Sequence, residues 1–159
     1  TGLECETGSR IARIKKYIGD DEYFFLTYGD GVADVNIREL AQFHKAHGKT
    51  VTMTGVKPPN PFGVIESDGD TVTGFAEKPP IQHWTNGGFF VCSQPVFNEL
   101  SPDGSCVFEQ GPLQAFAASS NLAMYKHEKF WHCVDTLKHM QGLNALYKDG
   151  TRPWMVWDA

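Results

Sequence analysis

No apolar run in this 159-residue sequence approaches the ~20 residues that cross a bilayer, and no hydrophobic leader opens it, so neither a membrane partner nor secretion is expected and a cytoplasmic location is. Cysteine is sparse. Cys5, Cys92, Cys106 and Cys133 are far apart and form no Cys-x-x-Cys pair, which reads as free thiols in a reducing cytosol, with a zinc site as the remote alternative. Positive charge is not in excess. A formal net charge of −5 argues against a nucleic-acid partner, although a local basic pocket could still hold a phosphate. Internal repeats and low-complexity tracts are missing. So is an initiator methionine: Thr1-Gly2-Leu3-Glu4-Cys5-Glu6 reads like the middle of a protein. Against these absences, 41% hydrophobic and 13% aromatic residues exclude a disordered composition and suffice for one domain, residues 1–159, with a real core.

The most informative stretch is Glu22-Tyr23-Phe24-Phe25-Leu26-Thr27-Tyr28-Gly29-Asp30-Gly31. Its apolar run lacks polar alternation, which predicts a strand buried on both faces of a sheet covered by helices. Ligands of open α/β sheets bind beyond the carboxyl ends of the strands, where Asp30 falls. Gly29 and Gly31 remove side-chain bulk there and allow close approach of a ligand or metal. Taken alone, Gly-Asp-Gly reads as an ordinary turn.

The flanking segments follow helical and strand periodicities. Thr7 stands at an N-cap position, Ile11, Ile14 and Ile18 recur at helical spacing, and Gly19 is a stop. Lys15 and Lys16 suit a solvated face, whereas Arg10, in the first turn, could reach a ligand at the helix N-terminus. Asn36 with Glu39 resembles a capping box. It opens a helix that turns Ile37, Leu40 and Ala41 to the sheet and ends at Gly48, with His44 either on that face or, like His47, on the helix surface. Residues 50–56 read as a strand, 57–61 as a proline loop, and 63–67 with 71–75 as a hairpin around Asp68-Gly69-Asp70. Pro79 holds Lys78 extended, which suits phosphate binding or an ordinary surface lysine equally. Asn86 precedes Gly87-Gly88 inside a strand. It could bond a sugar hydroxyl or only local backbone, and the glycines mark a close approach. A short helix at 95–100, a helix over 108–117 with Pro112 near its first turn, and a strand at 122–127 follow. The segment 130–136 then leads into a helix that ends near Lys148, where Asp135 could be a plain N-cap. Pro153, Trp154 and Trp157 should dock on the body or on a partner subunit.

Together, Thr7-Gly8-Ser9-Arg10, residues 27–34, Phe62-Gly63, Glu77-Lys78-Pro79, residues 86–91, Phe130-Trp131 and Asp135-Thr136-Leu137 resemble the sugar-1-phosphate nucleotidylyltransferases, most of all their glucose-1-phosphate cytidylyltransferase branch. The resemblance implies an α/β, Rossmann-like (GT-A-like) nucleotidyltransferase fold, truncated, with a mixed sheet flanked by helices and a small β-hairpin. It implies transfer of a nucleotidyl group from CTP or another nucleoside triphosphate to a sugar 1-phosphate, glucose 1-phosphate first, with pyrophosphate released. Asp30 and Asp135 would hold Mg²⁺, and Lys78 the sugar phosphate. Glu77, Asn86 and Gly87 would read the sugar, Gly63 and Gly29 would leave room, and Thr7 and Arg10 would contact phosphate or nucleotide. Glu109 would buttress the pocket. The family's glycine-rich loop, Gly-Gly-x-Gly-Thr-Arg, is absent from these residues, and Gly111 stands where an acidic residue is usual. The resemblance thus implies a C-terminal portion that works with a missing N-terminal half. The alternative is a catalytically silent fragment acting as a phosphosugar-binding or homo-oligomerisation module.

Overall fold

Helix α1 (Thr7–Ile18) opens the chain, and its Ile11 is buried as the periodicity predicts. Gly19 ends the helix at φ 62° and returns its N–H to the Lys15 carbonyl. These first elements belong to a computed structural model that describes residues 1–156, so Trp157 lies outside the described residues. The chain passes between two compact units. One holds residues 1–29, 36–54 and 88–125, and the other, among the described residues, 30–35, 55–87 and 126–156.

The first unit is built on a four-stranded sheet. β1 (Tyr23–Thr27), β6 (Thr85–Ser93), β3 (Val51–Val56) and β7 (Leu122–Lys126) lie in the order β1-β6-β3-β7. β1 and β6 are antiparallel, with Tyr23 opposite Ser93 and Thr27 opposite Phe89. β3 and β7 run the same way: the Val51 amide meets the Asn121 carbonyl, and the His127 amide meets that of Gly55. The sheet is therefore mixed, as expected. Its interior holds Val51, Phe90 and Cys92 from the strands and Ile11 from α1. Val96 and Phe97 join them from a 3-10 turn (Gln94–Glu99), as do Phe108 and, from the short helix that follows it, Leu113 and Phe116. Burying each large apolar side chain contributes about 1.5–3 kcal/mol. Ring packing adds orientation, with Phe90 edge-on to Phe108 at 5.6 Å and Phe24 stacked on Phe97 at 5.6 Å.

Several expectations change here. The run that ends at Gly29-Asp30-Gly31 is an edge strand, not a strand buried on both faces. Phe24 and Leu26 pack inward while Phe25 stays 47% exposed, and among the described residues only β6 pairs with β1. Gly88, inside β6, has φ 77° and faces the Tyr28 ring, which a Cβ would meet at 2.8 Å; this is the close approach that the glycine pair signals. Helix α3 (Pro112–Ala118) starts four residues later than expected, with Pro112 as its first residue, where the missing N–H costs nothing.

Helix α2 (Ile37–His47) begins as the sequence indicates. Asn36 Oδ1 accepts the Arg38 and Glu39 amides at 3.1 Å each. Glu39 reaches across to accept the Tyr125 hydroxyl at 3.2 Å. Ile37, expected against the sheet, is exposed, and His44 rather than the surface is where the helix turns inward. His44 is buried because its ring finds partners on both sides. The Lys49 amide donates to His47 Nδ1 at 2.9 Å, which assigns the proton of His47 to Nε2. That proton goes to Thr52 Oγ1 at 2.7 Å, the Thr52 hydroxyl donates to His44 Nδ1 at 2.8 Å, and His44 Nε2 donates to Ser93 Oγ at 2.8 Å. Burial, and then the neighbouring His47 charge, hold the His44 pKa below its ordinary value; burial likewise lowers that of His47.

The second unit contains two ribbons. β2 (Gly31–Ala33) and β8 (Trp131–Cys133) are antiparallel, with Gly31 opposite Cys133 and Ala33 opposite Trp131. β4 (Val64–Asp68) and β5 (Thr71–Ala76) form the expected hairpin, turned by Gly69 at φ 55° and bulged at Glu66/Ser67. Both hairpin strands are exposed, including Ile65, Val72 and Phe75. Helix α4 (Leu137–Lys148) has no buried residue. Lys57 and Lys126 set their ammonium groups over the Trp84 ring at 4.6 and 5.7 Å. His127, buried, holds Nε2 3.0 Å from both the Asp34 carboxylate and the Phe130 carbonyl, so that nitrogen carries a proton. The Asp34 contact is a close polar approach, not an aligned hydrogen bond. Trp154 packs on Phe130 at 5.8 Å, so this part of the tail does dock on the body.

Candidate active site

Pairing of the two shortest strands creates the site. Because β2 and β8 are in register at Gly31 and Cys133, the residues just outside them meet as well, and the Val134 amide donates to the Asp30 carbonyl at 2.9 Å. Asp30 and Asp135, far apart in sequence, therefore stand at one end of one ribbon. Both are exposed. Among the described residues no ion pair engages either carboxylate. Asp135 is not the cap of α4: Thr136 is, its Oγ1 accepting the His139 amide at 3.2 Å. That leaves the Asp135 carboxylate available for other work. It accepts the Cys133 thiol at 2.9 Å, while its own amide donates to His139 Nδ1 at 3.3 Å. Burial, the bond to Asp135 and the charges of Asp135 and Asp30 push the Cys133 thiol up to about 11. Two uncompensated carboxylates at one ribbon end suit a hard divalent cation, which takes one or two carboxylates and fills the rest of its shell with water and phosphate oxygens.

A second group gathers at the hairpin. At Gly63 a Cβ would lie 2.6 Å from the Phe75 ring and 3.1 Å from Glu77 Oε2, so the glycine admits Phe75 and Glu77 closely. Lys78 Nζ lies 3.6 Å from Glu77 Oε1, both side chains exposed. Lys78 is not extended, as Pro79 led us to expect, but has φ 47°. A following proline crowds the right-handed helical region, and this residue escapes it on the left-handed side instead. Gly87 is tied to β8, its carbonyl accepting Trp131 Nε1–H at 2.8 Å, which places Asn86-Gly87 beside the ribbon that carries Asp30 and Asp135.

Three further candidates, Thr7, Arg10 and Gly29, lie in the first unit. Thr7 is the first residue of α1 rather than its N-cap, Glu6. Its hydroxyl donates to Glu109 at 2.8 Å and accepts the Phe108 amide at 3.0 Å; Glu109 also accepts the Tyr28 hydroxyl. The next two residues show why. A Cβ at Gly8 would be 2.7 Å from Cys106 Sγ, and the buried Ser9 hydroxyl accepts the Gly104 and Cys106 amides, each at 3.1 Å. Thr7-Gly8-Ser9 thus seats the start of α1 against the 104–109 loop. Arg10 is occupied too, donating to the carbonyls of Cys5 (2.6 Å) and Leu3 (3.0 Å). Gly29 faces open space where a Cβ would stand. Sequence reasoning missed Cys133 and His139. Their signal was present in the spacing Cys-x-Asp-x-x-x-His across a helix start, which puts all three side chains on the first turn and the strand end before it.

With this geometry in place, comparison with known proteins is informative. The sequence model of the Nucleotidyl transferase family matches residues 4–148. The chain belongs to that family. It is 40% identical over 159 residues to the glucose-1-phosphate cytidylyltransferases of Salmonella typhi and Salmonella typhimurium, covering 99% of this chain and 62% of each relative. It is 30% identical over 151 residues to the mannose-1-phosphate guanyltransferase of Aspergillus oryzae, covering 89% and 41%. The chain thus spans about three-fifths of the length of the cytidylyltransferases it matches. Among solved structures, a Bacillus anthracis protein described as a glucose-1-phosphate thymidylyltransferase superposes with TM-score 0.70 at 18% identity, over 94% of this chain and 63% of that one. HddC from Yersinia pseudotuberculosis gives 0.62 at 16%, over 90% and 63%. These confirm the α/β nucleotidyltransferase fold, a mixed sheet flanked by helices. No helix among the described residues is long and apolar enough to cross a membrane.

Proposed function

We propose that this chain carries the sugar-phosphate and metal-holding part of a sugar-1-phosphate nucleotidylyltransferase. It would act in nucleotidyl transfer from a nucleoside triphosphate, CTP by its relatives, to glucose 1-phosphate. The observation that carries the reading is the Asp30–Asp135 pair, held at one ribbon end with neither carboxylate in an ion pair among the described residues. Those two residues would hold Mg²⁺. When bound, Mg²⁺ supplies charge neutralisation and alignment of the triphosphate. The remaining chemistry needs little from the protein beyond position and charge. An oxygen of the sugar phosphate, already an anion, forms the new bond to the α-phosphorus, and the bond to the bridging oxygen breaks to release pyrophosphate, so no protein nucleophile is required. Lys78, exposed and loosely paired with Glu77, meets the sugar phosphate as a point charge. Glu77, Asn86 and Gly87 bind the sugar hydroxyls. Thr7 and Arg10 have no part in this reading, since their polar groups already hold the start of α1.

Calorimetric titration of the chain with glucose 1-phosphate, with and without Mg²⁺, tests this. We expect Mg²⁺-dependent binding that Asp135→Ala weakens by at least ~10-fold, as loss of metal-site partners does. Pyrophosphate release with CTP added measures turnover by the same chain. Sugar-phosphate affinity that is indifferent to both Mg²⁺ and Asp135 would overturn the reading. One observation favours a second reading, an association module: the exposed Phe62, Ile65, Val72 and Phe75 around the hairpin. A dimer mass in solution, lost in Ile65→Lys, would support it.

A further inference from the structure

Beside the oxygen pair stands a different set of donors. The Cys133 sulfur, an Asp135 carboxylate oxygen and a His139 ring nitrogen all lie within 4.8 Å of one another. The cause is local. β8 ends at Cys133, and the Thr136 cap turns the first turn of α4 back so that His139 faces the strand end. Cys133 and His139 are half-buried and Asp135 is exposed, so the trio opens to solvent on one side. Sulfur, nitrogen and oxygen together do not suit Mg²⁺, which demands oxygen; they suit borderline cations such as Zn²⁺. At Zn²⁺ bond lengths of about 2.0–2.3 Å, tetrahedral ligand atoms are separated by roughly 3.3–3.8 Å. The present spacings bracket that range, from 2.9 Å between the Cys133 sulfur and Asp135 up to at most 4.8 Å within the trio, so a metal would draw one pair apart and the wider spacing together. Three protein ligands leave a fourth position for water or a phosphate oxygen, the open arrangement of reactive rather than purely structural zinc sites.

We propose that Cys133, Asp135 and His139 form a binding site for a Zn²⁺-type cation. Metal entry breaks the thiol hydrogen bond to Asp135 and the Asp135 amide bond to His139 Nδ1, whose lone pair goes to the metal; a metal–sulfur bond forms, and the thiol proton is released to solvent. Because Asp135 serves both donor sets, such a cation competes with Mg²⁺ for it; this second clause rests on the transferase reading, and the site itself does not.

The test uses the whole chain freed of metal by a chelator and titrated with Co²⁺. We expect one equivalent bound, with a thiolate-to-cobalt charge-transfer band that Zn²⁺ abolishes. Cys133→Ser should remove the band, and His139→Ala should weaken binding at least ~10-fold, with the far-ultraviolet circular dichroism unchanged in both. Should either variant fail to fold, protection of Cys133 from alkylation by Zn²⁺ in the unaltered chain, mapped by peptide mass, answers the same question. Absence of the band, its persistence in Cys133→Ser through another cysteine, or unprotected Cys133 would overturn the site. Asp30→Asn separates the two readings: Co²⁺ binding should survive it, while Mg²⁺-dependent sugar-phosphate binding should not. Co²⁺ affinity that excess Mg²⁺ leaves unchanged would overturn the competition alone.

Discussion

Among the described residues, every fully buried aromatic side chain lies in the first unit. In the first, Phe90, Phe108, Val51 and Val96 are fully enclosed, and even polar Ser9, Thr52 and His44 are buried with partners. In the second, Phe62, Ile65, Phe75 and Leu137 stand in the open, and no residue of α4 is fully buried. Yet the second unit holds both acidic residues, Lys78 and the sulfur-nitrogen donors. Rigidity and reactivity are thus assigned to different stretches of one chain, and hydrophobicity in the sequence does not by itself say which stretch will make a core.

The largest expected contrast is at phenylalanine. Phe90→Ala should lower unfolding free energy by ~3–5 kcal/mol in urea titrations, whereas Phe75→Ala, at a side chain 66% exposed, should change it by no more than ~0.5 kcal/mol. Equal losses would abolish the contrast. An intermediate effect concerns pH. His44 and His47 have folded pKa values below the ordinary 6.5, so the unfolded chain binds more protons than the folded one in the window below that value. Their stabilising contribution is complete above pH 6.5 and is lost as pH falls through the window. Melting temperature should decline from neutral pH toward pH 5, and His44→Gln should flatten the decline; an unaltered slope would place the acid sensitivity elsewhere. The smallest effect is Thr136→Ala, at about 1 kcal/mol. Because α4 lacks buried anchors, the loss should appear as faster amide exchange confined to that helix, and a global change would show that α4 is firmer than its exposure indicates.

Much of the architecture was legible because its signals are local. Asn36 at a cap, Gly69 between two β-branched runs and Gly88 beside an aromatic each act through immediate neighbours. What could not be read depends on partners distant in sequence. Whether Tyr23–Thr27 lies inside or at an edge is decided by how many strands pair with it, and its composition is the same in both cases. Thr7 and Arg10 carry motif identity yet are engaged by Glu109 and by the carbonyls of Leu3 and Cys5, partners that no periodicity reveals. At the site, Asp30 and Asp135 were recognisable from the family pattern. Cys133 and His139 become meaningful only once β8 and the first turn of α4 are folded together.

The series Lys49–His47–Thr52–His44–Ser93 has a direction: the Lys49 amide gives, the Ser93 hydroxyl takes, and each of the three members between them takes one hydrogen and gives one. An extra proton on His44 would turn its Nδ1 into a donor, and the buried Thr52 hydroxyl would lose the acceptor it now uses. Acid should therefore act on the two rings as a single event, releasing the end of α2 from β3 in one step rather than by gradual loosening.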